Sequence, residues 1–256
     1  MSSLRQFFLL AAILTAPFSA NLQAQEAEFS SNEGVILSIP LTYAIQMPGG
    51  DMSGRFGLNF NGSTGLQLLL NSNWMLEAEG QFLFGQKVKS DVLASLRSPE
   101  GFIFADDGGP ADVVLRERGF WMGASIGKLI SLIPDNSRSG LRLSLGAGLL
   151  QHKIRIQDDP QAYVPALRTE YEKGYDRLTN GLSLKQFIGY QHFSLDRRVN
   201  FFAGFEFVQG FTQSRRDWNT DQMAPETGNR LDLLYGIRVG WVLPFFLGDS
   251  GEAVYY

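Results

Sequence analysis

The stretch WMLEAEGQFLF, residues 74–84, alternates apolar and polar side chains along its whole length. Trp74, Leu76, Ala78, Gly80, Phe82 and Phe84 fall on one face, and Met75, Glu77, Glu79, Gln81 and Leu83 fall on the other. Because successive side chains of a β-strand point to opposite faces, this pattern predicts a strand with one apolar side. Segments of roughly ten such residues are typical of barrels whose strands face lipid and lumen, although a single strand would also fit a soluble sandwich.

The same alternation recurs along the chain. It is clear in residues 56–70, 120–127, 141–149, 200–207 and 231–243, and weaker in residues 35–45 and 182–193. Together with residues 74–84 this gives eight segments. An even number of antiparallel strands returns both chain ends to one side of a membrane, so the pattern predicts an all-β, antiparallel, up-and-down transmembrane barrel.

The predicted connections fall into two classes. Short turns lie at residues 71–73, 131–138 and 194–198, and long polar connections lie at residues 85–116, 156–180 and 214–229. A shorter connection at residues 47–54 belongs to the long set by its position. The two classes alternate, as they do between the periplasmic and external ends of outer-membrane barrels. We therefore expect both termini to be periplasmic.

The first residues have the composition of a secretory signal. Arg5 precedes an apolar run that reaches Pro17, and small residues suited to cleavage follow at Ala20 and Ala24. The run is too short for a spanning helix, which needs about 20 apolar residues. We expect residues 1–24 to be a cleaved signal peptide and residues 25–256 to form the barrel domain.

The composition excludes several classes of protein. The 256-residue chain has no cysteine, which rules out disulfides and thiolate metal sites. Arg5 is the only charge before Ala24, so the mature chain carries 21 basic and 26 acidic residues. This balance gives no support to nucleic-acid binding. No motif predicts a cofactor, a metal site or a catalytic residue.

Three stretches resemble a group of uncharacterised small outer-membrane barrels of the Bacteroidota. They are YEKGYDRLTNG at residues 171–181, NFFAGFE at residues 200–206 and GWVLPF at residues 240–245. The resemblance implies an outer-membrane location and no particular activity. The terminal residues 253–256, AVYY, resemble the aromatic-ended signal read by barrel-assembly machinery, but Pro244 is expected to interrupt the last strand.

Several charged residues fall on predicted inward faces. They are Glu77, Glu79, Arg142, Glu206, Asp232 and Arg238. Glu79, Glu206 and Arg238 should lie at similar heights, and Glu206 and Arg238 sit on consecutive strands, so we expect them to pair. Raised carboxylate pKa values would make the set a gate or a proton-transfer site. We favour a plug of mutually paired charges, because an unpaired buried charge is costly.

Aromatic residues near the periplasmic ends of the strands predict an interfacial girdle. Its members are Trp74, Tyr190, Phe201 and Trp241, together with Phe193. Trp121 should point inward and fill the lumen.

Two sets of residues could carry chemistry at the external end. His152 should lie at the rim, where barrel enzymes of the outer membrane place a histidine base, although a lone rim histidine is more often a surface residue. Arg168, Lys173, Arg177, Arg215 and Arg216 could bind lipopolysaccharide phosphates or, as we favour, pair with acidic residues nearby in sequence.

The sequence therefore predicts a non-enzymatic outer-membrane barrel with a structural or accessory role. Its expected partners are outer-membrane lipid, barrel-assembly machinery during insertion, and other subunits of an outer-membrane complex. The alternatives are a narrow transporter or small-ligand-binding barrel, and a lipid-modifying or proteolytic enzyme that uses His152.

Overall fold

In the computed structural model, the protein is a closed ring of eight long antiparallel strands. The structure describes residues 34–158 and 163–247, except for the side chains of residues 169 and 170. The long strands are β1 (Val35–Gly50), β2 (Asn59–Leu69), β3 (Trp74–Gly85), β6 (Val113–Ile133), β7 (Asn136–Asp158), β8 (Thr179–Phe193), β9 (Asn200–Ser214) and β10 (Asn229–Leu247). Two short strands, β4 (Ile103–Phe104) and β5 (Pro110–Ala111), form a separate hairpin. Long strands that follow one another along the chain are neighbours in the ring, and β1 pairs with β10 to close it. The predicted eight-stranded up-and-down barrel is confirmed.

The remaining elements are short and lie in the long connections. They are the 3-10 turns Asp51–Gly54, Ala94–Leu96 and Pro165–Leu167, and one helix, α1 (Thr169–Glu172). No helix in the described part of the chain is long and apolar enough to cross a membrane. The predicted signal peptide, residues 1–24, and the terminal residues 253–256 lie outside the described residues.

Side chains alternate between the interior and the outer wall as the sequence predicts. On β3, Met75, Glu77 and Glu79 are buried inside, while Trp74 and Phe82 are exposed on the wall. Phe56 departs from the prediction. It begins the segment 56–70 that was predicted to be a strand, but it precedes β2 and bridges to Val88, so it is fully buried with the residues that cover the mouth of the barrel.

The predicted alternation of short and long connections is confirmed, with different bounds. The turn expected at residues 131–138 shrinks to residues 134–135, because β6 and β7 stay paired up to Ile133 and Asn136. At the other end the same two strands run on, and Val113 pairs with Asp158. Backbone hydrogen bonds need no apolar side chains, so polarity alone marked these strand ends too early.

The prediction that Pro244 interrupts the last strand is wrong. Strand β10 continues to Leu247, with Pro244 opposite Ser38 of β1. The pairing of β10 with β9 ends at Trp241. In the described part of the chain one edge of β10 has no partner strand beyond Trp241, and such an edge is where a sheet tolerates a proline.

The interior is filled in layers. An apolar layer at the short-turn end, which we call the lower apolar layer, contains Ile36, Leu69, Met75, Leu129, Phe187, Phe193, Phe202 and Val242. A second apolar layer toward the long loops contains Met52, Phe56, Leu83, Trp121, Leu150, Val208 and Leu234, together with the loop residues Val92, Leu93, Ile103, Val164 and Leu167. Charged and amide side chains lie between these two layers.

Trp121 depends on two glycines for its place in the interior. Its ring lies so close to Gly123 and Gly148 that a Cβ on either would come within 2.7 Å of a ring carbon. The indole Nε1 donates a hydrogen bond to Ser183 Oγ at 2.8 Å. The glycines therefore give the largest buried side chain the room that it needs.

We expect Gly148→Val to destabilise the barrel by about 1–3 kcal/mol, because overpacking forces the ring or the strand to move. Urea unfolding of the refolded protein, followed by tryptophan fluorescence, measures this change. Ala147→Val is the matched control, because residue 147 is exposed on the outer wall. Equal stability of the two variants would show that the packing of Trp121 does not require a glycine at position 148.

Candidate functional site: the charged lumen and the loop cap

Arg238 is the central cation of the lumen. Its guanidinium contacts Glu206 Oε2 at 2.8 Å and also pairs with Glu79. It donates further hydrogen bonds to Ser63 Oγ at 3.1 Å and Thr42 Oγ1 at 3.3 Å. The predicted pair of Glu206 and Arg238 is confirmed, and Glu79 joins it at the same height.

Arg142 and Glu77 form a second ion pair nearer the short-turn end. Arg142 Nη2 lies 2.5 Å from Glu77 Oε2, and Nη1 donates to Gln191 Oε1 at 3.0 Å. The guanidinium carbon lies 4.4 Å from the ring centroid of Phe202 and 5.1 Å from that of Phe187. The pair therefore rests directly on the lower apolar layer, in cation–π contact with it.

Lys185 belongs to the same cluster and was not predicted. Its ammonium pairs with Glu79 and lies 4.0 Å from Glu206 and 4.2 Å from the centroid of the Trp121 ring. The alternation of residues 182–193 was too weak to draw attention to its charge. The inward position of residue 185, set by the parity of β8, was the available signal.

Six residues thus form a neutral cluster, which we call the lumen hexad: Glu77, Glu79, Arg142, Lys185, Glu206 and Arg238. Three acidic and three basic groups balance, and every member is at most 5% exposed. Gln46 and Gln81 donate to the two oxygens of Glu206 at 3.0 and 3.2 Å. Paired in this way, the cluster occupies the middle of the lumen and favours a plug over a gate.

Asp232 was predicted in this cluster but lies apart from it, toward the long loops. It accepts hydrogen bonds from Thr212 Oγ1 and, at 3.1 Å, from Arg230. Its Oδ2 lies 2.8 Å from Nε2 of His152. Asp232 therefore connects the inner wall of the barrel to His152 and Arg230 at the long-loop end.

The predicted surface position of His152 is wrong. The residue is fully buried, because the β6–β7 hairpin continues past it and the loops close over the barrel mouth. One ring nitrogen bonds Asp232, and the ring meets Phe56 edge-on at a centroid distance of 5.6 Å. The other nitrogen, Nδ1, has no hydrogen-bond partner among the described residues. A serine triad needs a hydroxyl at that second nitrogen.

Glu226 holds together the cap formed by the long connections. It pairs with Arg55, with Arg230 at 2.8 Å and with Arg177 at 3.6 Å. Arg55 also donates to Thr179 Oγ1 at 2.8 Å at the rim of β8. One partly buried carboxylate thus ties the β1–β2 connection and two later loops to the top of the barrel.

A second carboxylate links the loops in the same way. Asp176 accepts hydrogen bonds from Nε and Nη2 of Arg216 at 2.8 and 2.6 Å. Arg177 pairs with Asp221 at 2.5 Å. Two of the loop cations considered for lipopolysaccharide, Arg177 and Arg216, are therefore occupied within the cap.

The predicted girdle residues lie on the outer wall, except one. Trp74, Trp241, Phe201 and Tyr190 have exposed fractions of 45%, 48%, 37% and 36%. Phe193 is fully buried, because β8 directs it into the lower apolar layer, so its place in the girdle was wrong. Whether these residues contact a membrane interface stays a prediction.

A second group of wall aromatics was missed: Tyr43, Phe60, Phe82 and Phe84, which we call the upper aromatic cluster. Centroid distances of 6.0 Å for Tyr43–Phe60, 5.9 Å for Phe60–Phe84 and 6.1 Å for Phe82–Phe84 join them. They come from three neighbouring strands toward the long-loop end. All four residues occupy outward-facing positions of their strands, and the alternation in the sequence could have indicated this.

Comparison with known proteins gives weak similarities to solved barrels. Neisserial surface protein A has 11% identity and a TM-score of 0.45, over 83% of this chain and 100% of that chain. Ail, the attachment invasion locus protein of Yersinia pestis, has 13% identity and a TM-score of 0.39, over 82% and 99%. No protein-family model matches the chain. No curated protein matches it significantly.

We expect Arg238→Gln to destabilise the barrel by about 3–5 kcal/mol, because it leaves buried carboxylates without their cation. The double variant Arg238→Gln/Glu206→Gln restores neutrality and should recover a large part of the loss. The unfolding free energy in urea measures both, with Arg198→Gln, at an exposed turn, as the charge-matched control. Additive effects of Arg238→Gln and Glu206→Gln would show that the hexad is not coupled.

The cap should loosen in acid. Burial raises the pKa of Glu226, but the charges of Arg55 and Arg230 and the hydrogen bonds from both lower it more, so the net shift is below the usual value of 4.5. A carboxyl with a depressed folded-state pKa stabilises the fold above its unfolded pKa, and this contribution is lost as pH falls through the folded pKa. The protection factors of residues 215–228 in hydrogen exchange, which correct for the intrinsic dependence of exchange on pH, should therefore fall below about pH 4.5.

Glu226→Gln provides the comparison for this pH dependence. The variant should have lower protection factors in residues 215–228 at neutral pH, and these factors should change less in acid than those of the native chain. An unchanged profile would mean that Glu226 does not hold the cap.

Proposed function

We propose that the protein is an integral outer-membrane β-barrel that conducts no solute and acts as a structural or accessory subunit of an outer-membrane complex. On this proposal, an export signal directs it across the inner membrane, and barrel-assembly machinery inserts it. The observation that carries the proposal is the combination of an apolar outer wall with a filled, charge-paired interior.

The outer wall has the character of a lipid-facing surface. Large apolar side chains are exposed on every one of the eight long strands: for example Tyr43, Leu66, Phe82, Met122, Leu145, Leu182, Phe205 and Ile237, with exposed fractions of 44–74%. Soluble monomers rarely expose apolar patches beyond a few hundred Å². A continuous apolar band around a closed barrel is what a bilayer covers.

The filled lumen supports a role other than transport. The lumen hexad lies between two apolar layers, and Trp121 and Phe202 are each 1% exposed. An eight-stranded barrel is just wide enough for its side chains to fill it. A solute would have to break the paired charges and displace the cap.

The non-enzymatic part of the proposal is supported by the surroundings of His152. The residue is fully buried and bonded to Asp232, and Phe56 packs against its ring. A buried histidine that holds a carboxylate contributes to packing between barrel and cap. We assign it a structural role on this basis.

The accessory role is supported by apolar side chains on the loops, outside any membrane band. Phe102, Phe104, Tyr171 and Met223 have exposed fractions of 54%, 51%, 60% and 71%. Exposed aromatic and methionine side chains at one end of a barrel are typical of protein contacts. Another outer-membrane subunit would cover them.

Native pull-down of the tagged protein from detergent-solubilised outer membranes, with mass spectrometry, tests the accessory role. We expect a stoichiometric partner whose recovery falls in the double variant Phe102→Ser/Phe104→Ser and is unchanged in Lys173→Gln. Recovery of a lone monomer would remove the accessory role. Absence from the outer-membrane fraction would overturn the membrane location, and steady conductance in planar bilayers would overturn the plug.

A further inference from the structure

Four cations face each other across the β6–β7 hairpin at the long-loop end. Arg116 lies opposite Arg155, and Arg118 lies opposite Lys153. All four occupy outward positions, because the residues between them, Glu117 among others, point inward. Like charges directly opposite each other destabilise a sheet, so the arrangement needs compensation from elsewhere. We call Arg116, Arg118, Lys153 and Arg155 the cationic quartet.

The rest of the protein supplies little of that compensation. In the described ranges, Lys153 is the one member with a carboxylate oxygen within 4 Å, that of Asp176 at 3.7 Å, and that carboxylate already binds Arg216 through both oxygens. Arg116 donates to the amide oxygen of Gln157 at 3.1 Å, and Arg118 donates to the backbone carbonyl of Glu117 at 2.7 Å. These neutral acceptors leave the positive charge in place.

The quartet lies beside the upper aromatic cluster. Arg118 is the cross-strand partner of Phe84, a member of the upper aromatic cluster. Aromatic side chains on the wall of a membrane barrel gather at the level of the lipid headgroups. With the barrel in the proposed membrane location, the cations are at the height of the lipid phosphates.

An apolar groove begins below the quartet on the same wall. It has a volume of about 430 Å³ and runs across β2, β3 and β6. Gly62 and Gly80 leave it open, since a Cβ on either would meet no atom within 4 Å. Phe82 and Met122 flank it. Gly80 pairs with Met122, four residues along β6 from Arg118, or roughly 9 Å along the membrane normal for a tilted strand.

We propose that this surface binds a phosphorylated membrane lipid, with its phosphate on the cationic quartet and an acyl chain in the groove at Gly62 and Gly80. Guanidinium groups bind phosphate oxygens in bidentate pairs, which fits three arginines on one face. The groove decides between a lipid and a soluble anion, because only a lipid fills both parts. The inference rests on the proposed membrane location of the barrel.

The probe is diphosphorylated lipid A, titrated into the full chain folded in detergent and followed by native mass spectrometry. The triple variant Arg116→Gln/Arg118→Gln/Arg155→Gln should weaken binding by at least about tenfold, because each lost charge-assisted bond removes a strong phosphate contact. Lys128→Gln/Arg197→Gln/Arg198→Gln makes the same change of charge at the opposite, short-turn end of the barrel and should bind like the native chain.

A second pair of variants tests the groove. Gly80→Leu should weaken binding of the lipid several-fold and leave binding of inorganic pyrophosphate unchanged. Ala147→Leu, on the outer wall away from the groove, should change neither. Folding of every variant is checked by the shift in gel mobility between heated and unheated samples.

The outcomes separate the possibilities. Loss of binding in the triple variant together with the effect of Gly80→Leu supports the lipid site. Native affinity in the triple variant overturns it. Pyrophosphate binding as tight as lipid binding, with no effect of Gly80→Leu, overturns it in favour of a soluble anion. A barrel that fractionates with outer membranes but fails these binding tests refutes this inference alone.

Discussion

The pairing of charges inside a narrow ring is the constraint on which the rest of the structure depends. Eight strands enclose so little space that side chains fill it, and polar groups placed there lose their contact with water. The lumen hexad meets this constraint with three carboxylates and three cations. The apolar layers above and below it keep water away, so the ion pairs and the packing depend on each other. Because the charged groups of the strands lie inside, the side chains of the outer wall can be apolar.

Strand parity made most of the fold and part of the site predictable. Once residues 74–84 were read as a strand, Glu77 and Glu79 had to point inward, and the same rule applied to Glu206 and Arg238. Height along neighbouring strands then predicted the pair of Glu206 and Arg238 that the structure contains. These inferences succeeded because a strand has a fixed period and an antiparallel ring has a regular register.

The remaining features depend on contacts that no local pattern contains. His152 was misplaced because the end of β7 was inferred from polarity, whereas backbone pairing carries the strand to Asp158. Lys185 was missed because its strand alternates weakly. The cap joins Arg55 to Glu226, residues far apart in sequence, and only the closed ring brings their loops together. The cationic quartet likewise needs the register of β6 against β7, which the two-residue turn at 134–135 sets together with the irregularity in the ladder between Ser131 and Ile133.

The position of Arg238 has a consequence for how the barrel is completed. Glu77 and Glu79 enter with β3, Arg142 with β7, Lys185 with β8 and Glu206 with β9, whereas Arg238 arrives with β10, the strand that closes the ring. A chain folded as far as β9 holds three carboxylates against two cations. Ring closure and neutralisation of the interior are therefore one event, and the last strand supplies both the missing backbone partner of β1 and the missing charge. A chain that stops before β10 therefore lacks the partner of β1 and the cation of the interior at the same time.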